Sequence, residues 1–113
     1  ITKEELVEEV EAAGDLLDTR LAQKTDWYAY AFGDIGSIDR LAMEAISRRF
    51  RYCRSGVRGA NGRQTNRMAF CADSLSPGAP LSYQKLLIEG AVDVLYVRRR
   101  RALEAFAVKA AIT

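Results

Sequence analysis

The chain contains no histidine, two cysteines and two prolines. Without histidine the commonest general base is missing, so acid–base catalysis would rest on carboxylates alone. Serines have no imidazole to activate them, and no lysine or cysteine motif replaces one. Two cysteines without histidine make a poor zinc site, which usually takes four ligands. A cytosolic chain keeps thiols reduced, so Cys53 and Cys71 are expected free, with a disulfide the lesser reading. Neither G-x-G-x-x-G between a strand and a helix nor G-x-x-x-x-G-K-[ST] occurs, and no internal repeat is visible. These absences predict a protein that is not an enzyme and carries no cofactor or metal. Apolar runs fall short of the roughly 18–20 residues of a membrane span. The acidic N-terminus lacks the basic-then-apolar pattern of a signal peptide. A soluble, intracellular protein is therefore expected, and a start at Ile1 rather than methionine suggests trimming.

What the chain has in quantity is arginine: thirteen of its 17 basic residues. Arginine suits bidentate contacts to carboxylate or phosphate better than lysine does. The 113 residues, 49% hydrophobic and 28% charged, fit one globular domain, 1–113. The formal net charge of +2 hides a division. Residues 1–45 hold four basic and eleven acidic residues; residues 46–113 hold thirteen basic and four acidic ones. Such a split serves internal neutralisation, contacts between subunits, or phosphate binding.

Helical periodicity dominates and predicts an all-α fold: a small helical bundle with a long C-terminal helix and one irregular basic loop. Thr2 and Glu5 form a capping box that starts the first helix. Leu6, Val10, Ala13, Leu17 and Leu21 make its apolar stripe, and Glu4, Glu8, Glu11 and Asp15 lie opposite. Thr25 or Asp26 caps a short helix carrying Trp27, Tyr28, Tyr30 and Phe32. This cluster reads as a core plug or, at Trp27, as an exposed anchor. Ser37 opens a helix over 38–54 with a stripe of Ile38, Ala42, Ala45, Ile46, Phe50 and Cys53. Its end carries Arg48, Arg49, Arg51 and Arg54. The polar loop 55–67 contributes Arg58, Arg63 and Arg67, and Asn61-Gly62 is a turn signal compatible with a short hairpin. Residues 68–75 read as a short helix rather than a strand.

The last helix is expected to run from Pro80 or Ser82 to about Ala111. It contains four consecutive arginines, Arg98 to Arg101, which on a helix point to every side. Arg100 is spaced to pair with Glu104. Arg98 falls in line with Val94 and Ala105, so it needs a partner if buried. The simplest geometry ends the domain core near Val97. Leu103, Phe106 and Val108 would then need burial by something else, which points to assembly.

The layout of "SIDRLAMEAISRRFRYCRSG", an irregular loop and "PGAPLSYQKLLIEGAVDVLYVRRRRALEAF" resembles the head-completion or head–tail connector proteins of tailed bacteriophages. That resemblance implies a helical adaptor that forms a ring with copies of itself and binds portal or tail proteins, in the host cytoplasm or the virion. The expected interaction residues are Arg58, Arg63, Arg67, Arg98, Arg99, Arg101, Phe106 and Trp27. A second reading is a small DNA- or RNA-binding module whose basic face combines Arg48, Arg49, Arg51, Arg54, Arg98 and Arg101 with the loop arginines. A third is an adaptor or inhibitor that captures one protein by charge.

Overall fold

A computed structural model describes residues 1–112, and the side chains of residues 1–110. The first helix, α1 (Lys3–Leu21), begins at the expected capping box. The Thr2 amide donates to Glu5 Oε2 at 2.7 Å, and Thr2 Oγ1 accepts from the Glu5 amide at 3.2 Å. Its buried side is not the whole predicted stripe. Leu6 and Val7 are half-buried and Val10 and Gly14 are buried, whereas Ala13, Leu17 and Leu21 face outward.

The chain is mostly helical, but the aromatic segment is a strand. β1 (Trp27–Ala29) lies parallel to β2 (Tyr52–Arg54), with Trp27 opposite Tyr52, Tyr28 opposite Cys53 and Ala29 opposite Arg54. Parallel neighbours need a crossover, and α2 (Arg40–Arg49) supplies it. The expected helix over 38–54 is therefore shorter at both ends. Asp39 caps it by accepting from the Leu41 amide at 2.9 Å, in place of Ser37, which closes a 3-10 turn. At its other end Phe50 already has extended backbone. Spacings of three and four brought Phe50 and Cys53 into a helical stripe; both are buried, but Cys53 points inward from a strand. Aromatic residues fit a pleated, half-buried surface better than propensity alone suggests.

The segment after the loop is extended rather than helical. The Cys53 amide donates to the Arg67 carbonyl (2.9 Å), Phe70 donates to Cys53 (3.1 Å), and Ser55 donates to Phe70 (2.8 Å). A parallel bridge between Arg54 and Phe70 makes this a third, minimal member of the sheet.

The long C-terminal helix is broken. α3 (Leu81–Ile88) stops before Gly90, whose φ of 77° is a left-handed conformation that glycine adopts at little cost. A 3-10 turn, Asp93–Tyr96, leads into α4 (Val97–Ile112). α4 packs along α2, and it is not a protrusion. Leu103 and Ala107 are fully buried with Met43 and Ile46, and Phe106 packs on the same core. The core thus continues past Val97, contrary to expectation, and the exposed part is what precedes it.

Arg49 ties α1 to α2. Its Nη2 donates to Asp18 Oδ2 at 2.7 Å and its Nε donates to Asp15 Oδ1 at 3.2 Å. The guanidinium lies across Gly14, where a Cβ would stand 2.7 Å from Nε. Gly14 is thus a notch for Arg49. Alanine normally stabilises a helix interior by about 1 kcal/mol over glycine. Gly14→Ala should deliver that gain in an Arg49→Met background and clearly less in the native sequence, measured by chemical denaturation. Equal gains in both backgrounds would contradict the contact.

Candidate functional site

The four arginines of the C-terminal turn meet four different surroundings. Arg98 is exposed, so it needs no buried partner. Arg99 covers the ring of Tyr96 at 5.1 Å, and Arg58 lies 6.0 Å from the same ring. Arg100 is half-buried against Gly59, and its Nη2 donates to the Asp93 carbonyl at 3.1 Å. Glu104, expected to pair with Arg100, accepts instead from the Asn66 amide at 3.4 Å. Arg101 is exposed at the rim of a groove of about 500 Å³ between loop 60–65 and α4.

The basic loop is pinned rather than hairpin-shaped. Asn61 exchanges two hydrogen bonds with the Cys71 backbone, each 2.8 Å. Gly62 and Thr65 close a turn, and the Ala60 amide donates to Asp93 Oδ2 at 3.2 Å. Arg63 is exposed, and Arg67 donates through Nη1 to the Arg51 carbonyl at 2.6 Å.

A second basic groove, of about 520 Å³, is lined by Lys24, Asp26, Ser47, Arg48, Arg49, Phe50, Arg51 and Arg67. It shares no residue with the groove at Arg101: Arg48, Arg49, Arg51 and Arg67 line the one, Arg100 and Arg101 the other, and Arg54 and Arg98 line neither. Arg49 is largely committed to Asp15 and Asp18. The Asp18 carboxyl lies below its ordinary pKa because it accepts from the Thr25 amide, and further because it pairs with Arg49. Its contribution to stability is present above the ordinary carboxylate pKa and is lost as pH falls below it.

Trp27 is 54% exposed, which favours the anchor over the core plug. Tyr28 and Tyr30 pack inward against the core, and Phe106 is half-buried there too, so neither they nor Phe106 present a free aromatic face.

One run of exposed apolar side chains was not among the expected interaction residues. Leu81, Leu86, Ile88, Val94 and Leu95 are all exposed, at 80, 46, 73, 71 and 75%. Leu87 alone of α3 is buried. The sequence signal was a helix apolar on most sides, which read as a central element.

Among the described residues no group of three or more histidine, cysteine or acidic side chains could hold a metal ion, and no helix is long and apolar enough to cross a membrane. No protein-family model, curated protein or solved structure matches the chain.

Both cysteines are free and buried. Burial pushes the Cys53 thiol up to about 12 and also raises that of Cys71. Thiols in this state are poor nucleophiles. Both should react with a disulfide reagent near pH 8 only as fast as the chain opens, with denaturant accelerating the reaction. Rapid labelling of the native protein would contradict their burial.

Proposed function

We propose that this chain is a non-enzymatic assembly protein, in which the apolar arm of one copy packs onto α1 of the next. The observation that carries this reading is the arm, residues 81–96, on which Leu81, Leu86, Ile88, Val94 and Leu95 stay exposed. An isolated helix shorter than about 12–15 residues is marginal in water, and α3 has eight residues with a single buried side chain. It gains little from its own chain. Full burial of a Leu, Ile or Val side chain is worth about 1.5–3 kcal/mol, so a neighbour covering Ile88, Val94 and Leu95 would stabilise the arm substantially.

The second copy is favoured as occupant by complementarity. The arm leads directly into Arg98, Arg99 and Arg101. On α1, Leu16, Leu17 and Leu21 are exposed, and Glu8, Glu11 and Asp15 are exposed on the side away from Leu17 and Leu21. A groove of about 520 Å³ along α1 is lined by Glu4, Glu8, Glu11 and Asp15, with Lys3 and Arg48 at its edge. The arginines that follow the arm thus match the carboxylates of α1, and the exposed leucines of α1 offer its apolar side chains a second surface on the same helix. Such a heterologous contact forms a ring when its rotation closes, and an open filament otherwise. A ring subunit of a tailed-phage head–tail connector is the specific form we propose, on the layout of two arginine-ended segments around an irregular loop.

Light scattering should give a mass several times that of the monomer. Ile88→Glu with Leu95→Glu should reduce it to the monomer, and so should Arg98→Glu with Arg101→Glu. A monomeric native chain at high concentration, or assembly indifferent to both double variants, would sink the reading.

A further inference from the structure

We propose that the outer face of the small sheet binds single-stranded nucleic acid, with a base stacked on Trp27 and phosphates held by the arginines beside it. This site is separate from the apolar arm and does not depend on the assembly reading.

Strand alternation builds the face. Successive side chains of a strand point to opposite sides. Tyr28 and Cys53 therefore turn toward the core, while Trp27, Ala29, Tyr52 and Arg54 share the other side. Phe70 joins them through its bridge with Arg54. Trp27 stacks on Tyr52 with centroids 4.7 Å apart and rings 26° from parallel, and lies 5.2 Å from Phe70. Cross-strand aromatic contact accounts for the half-burial of Tyr52 and Phe70. It does not account for an indole that stays 54% exposed beside Arg54 on the same side of the sheet.

Charge adjoins the aromatic platform. Arg51 covers the Tyr52 ring at 5.3 Å and also lines the basic groove, so the two surfaces are continuous through one residue. In that groove Lys24, Arg48, Arg51 and Arg67 outnumber Asp26, the only carboxylate there. Lys24 lies 3.8 Å from Asp26, which leaves the arginines in excess. Arg67 commits Nη1 to the Arg51 carbonyl, and the rest of its guanidinium remains exposed. An open aromatic face beside a track of cations is the combination that single strands use, because every base has a π face and every phosphate a charge. A duplex hides its base faces in the stack. An acidic peptide would satisfy the arginines but leave the indole face unused.

Trp27 is the only tryptophan, so tryptophan fluorescence excited apart from the five tyrosines reports this face. Short oligo(dT) should quench it saturably, with affinity that falls steeply as salt rises. A duplex of equal length, and oligoglutamate, should not quench it at the same concentrations. Trp27→Ala should weaken oligo(dT) binding, read by anisotropy of a labelled strand, by roughly 5- to 100-fold, the range for losing one base–aromatic stack. Trp27→Phe keeps a ring and should stay near the native affinity. Should Trp27→Ala fail to fold, native quenching and the Phe variant still decide. No quenching, equal quenching by duplex or by oligoglutamate, or unchanged affinity in a folded Trp27→Ala variant would overturn the proposal.

Discussion

The Arg49 guanidinium, lying across Gly14 between Asp15 and Asp18, is the contact on which the arrangement of elements depends. Asp18 also accepts from the Thr25 amide at 2.6 Å, so the same carboxylate holds the turn that follows α1. One residue further, the Asp26 carbonyl accepts from the Arg51 and Tyr52 amides, at 2.9 and 3.0 Å, and starts the pairing of β1 with β2. A single node thus joins the end of α1, the end of α2 and the first rung of the sheet. The Arg49 side chain is mostly buried, at 13% exposure, which shields the pair from solvent better than an ordinary surface bridge. Removing Arg49 would leave two carboxylates facing each other across the notch.

The charge division of the sequence is resolved partly inside the chain. Arg49 answers Asp15 and Asp18. Lys3 and Arg40 answer the buried Glu44, at 3.2 and 3.7 Å. What remains is directional: exposed carboxylates along α1, and exposed arginines around the sheet and at the start of α4. The Cα radius of gyration, 15.5 Å, exceeds the roughly 13 Å of a compact chain near this length. An arm that leaves its apolar side chains in water is consistent with that excess, and such surface marks an interaction site more often than it is tolerated idly.

Features fixed by local chemistry were legible in the sequence. The Thr2–Glu5 capping box is the clearest, whereas the turn signalled at Asn61-Gly62 falls at Gly62–Thr65, with Asn61 bonded to the Cys71 backbone instead. Part of the buried set around α2 was also readable: Ala45 and Ile46 on the helix, and Ile38 and Phe50 flanking it, are buried, whereas Met43 and Glu44 lay outside the expected stripe. Features fixed by tertiary pairing were not. Trp27–Ala29 is too short for period two to declare itself, and it is a strand only because β2 lies beside it. Phe50 and Cys53 satisfy a helical spacing while belonging to different elements. On α1 the stripe was followed past the point where α2 stops covering it, so Leu17 and Leu21 were expected inside. Gly90 sat within an apolar run whose pattern outweighed the breaker signal, and the break reverses which part of the C-terminal region is buried. Trp27 was among the expected anchors, whereas the exposed apolar side chains of residues 81–95 were not.

The most direct test of the central claim, that residues 81–96 are held by a neighbouring copy, is hydrogen–deuterium exchange of their backbone amides across a dilution series. Short helices with few buried contacts open at low free energy. The account predicts slow exchange of this segment in concentrated protein and fast exchange after dilution, while the amides of α2 stay equally protected throughout. Exchange of the arm that is the same at every concentration, whether fast or slow, would contradict it.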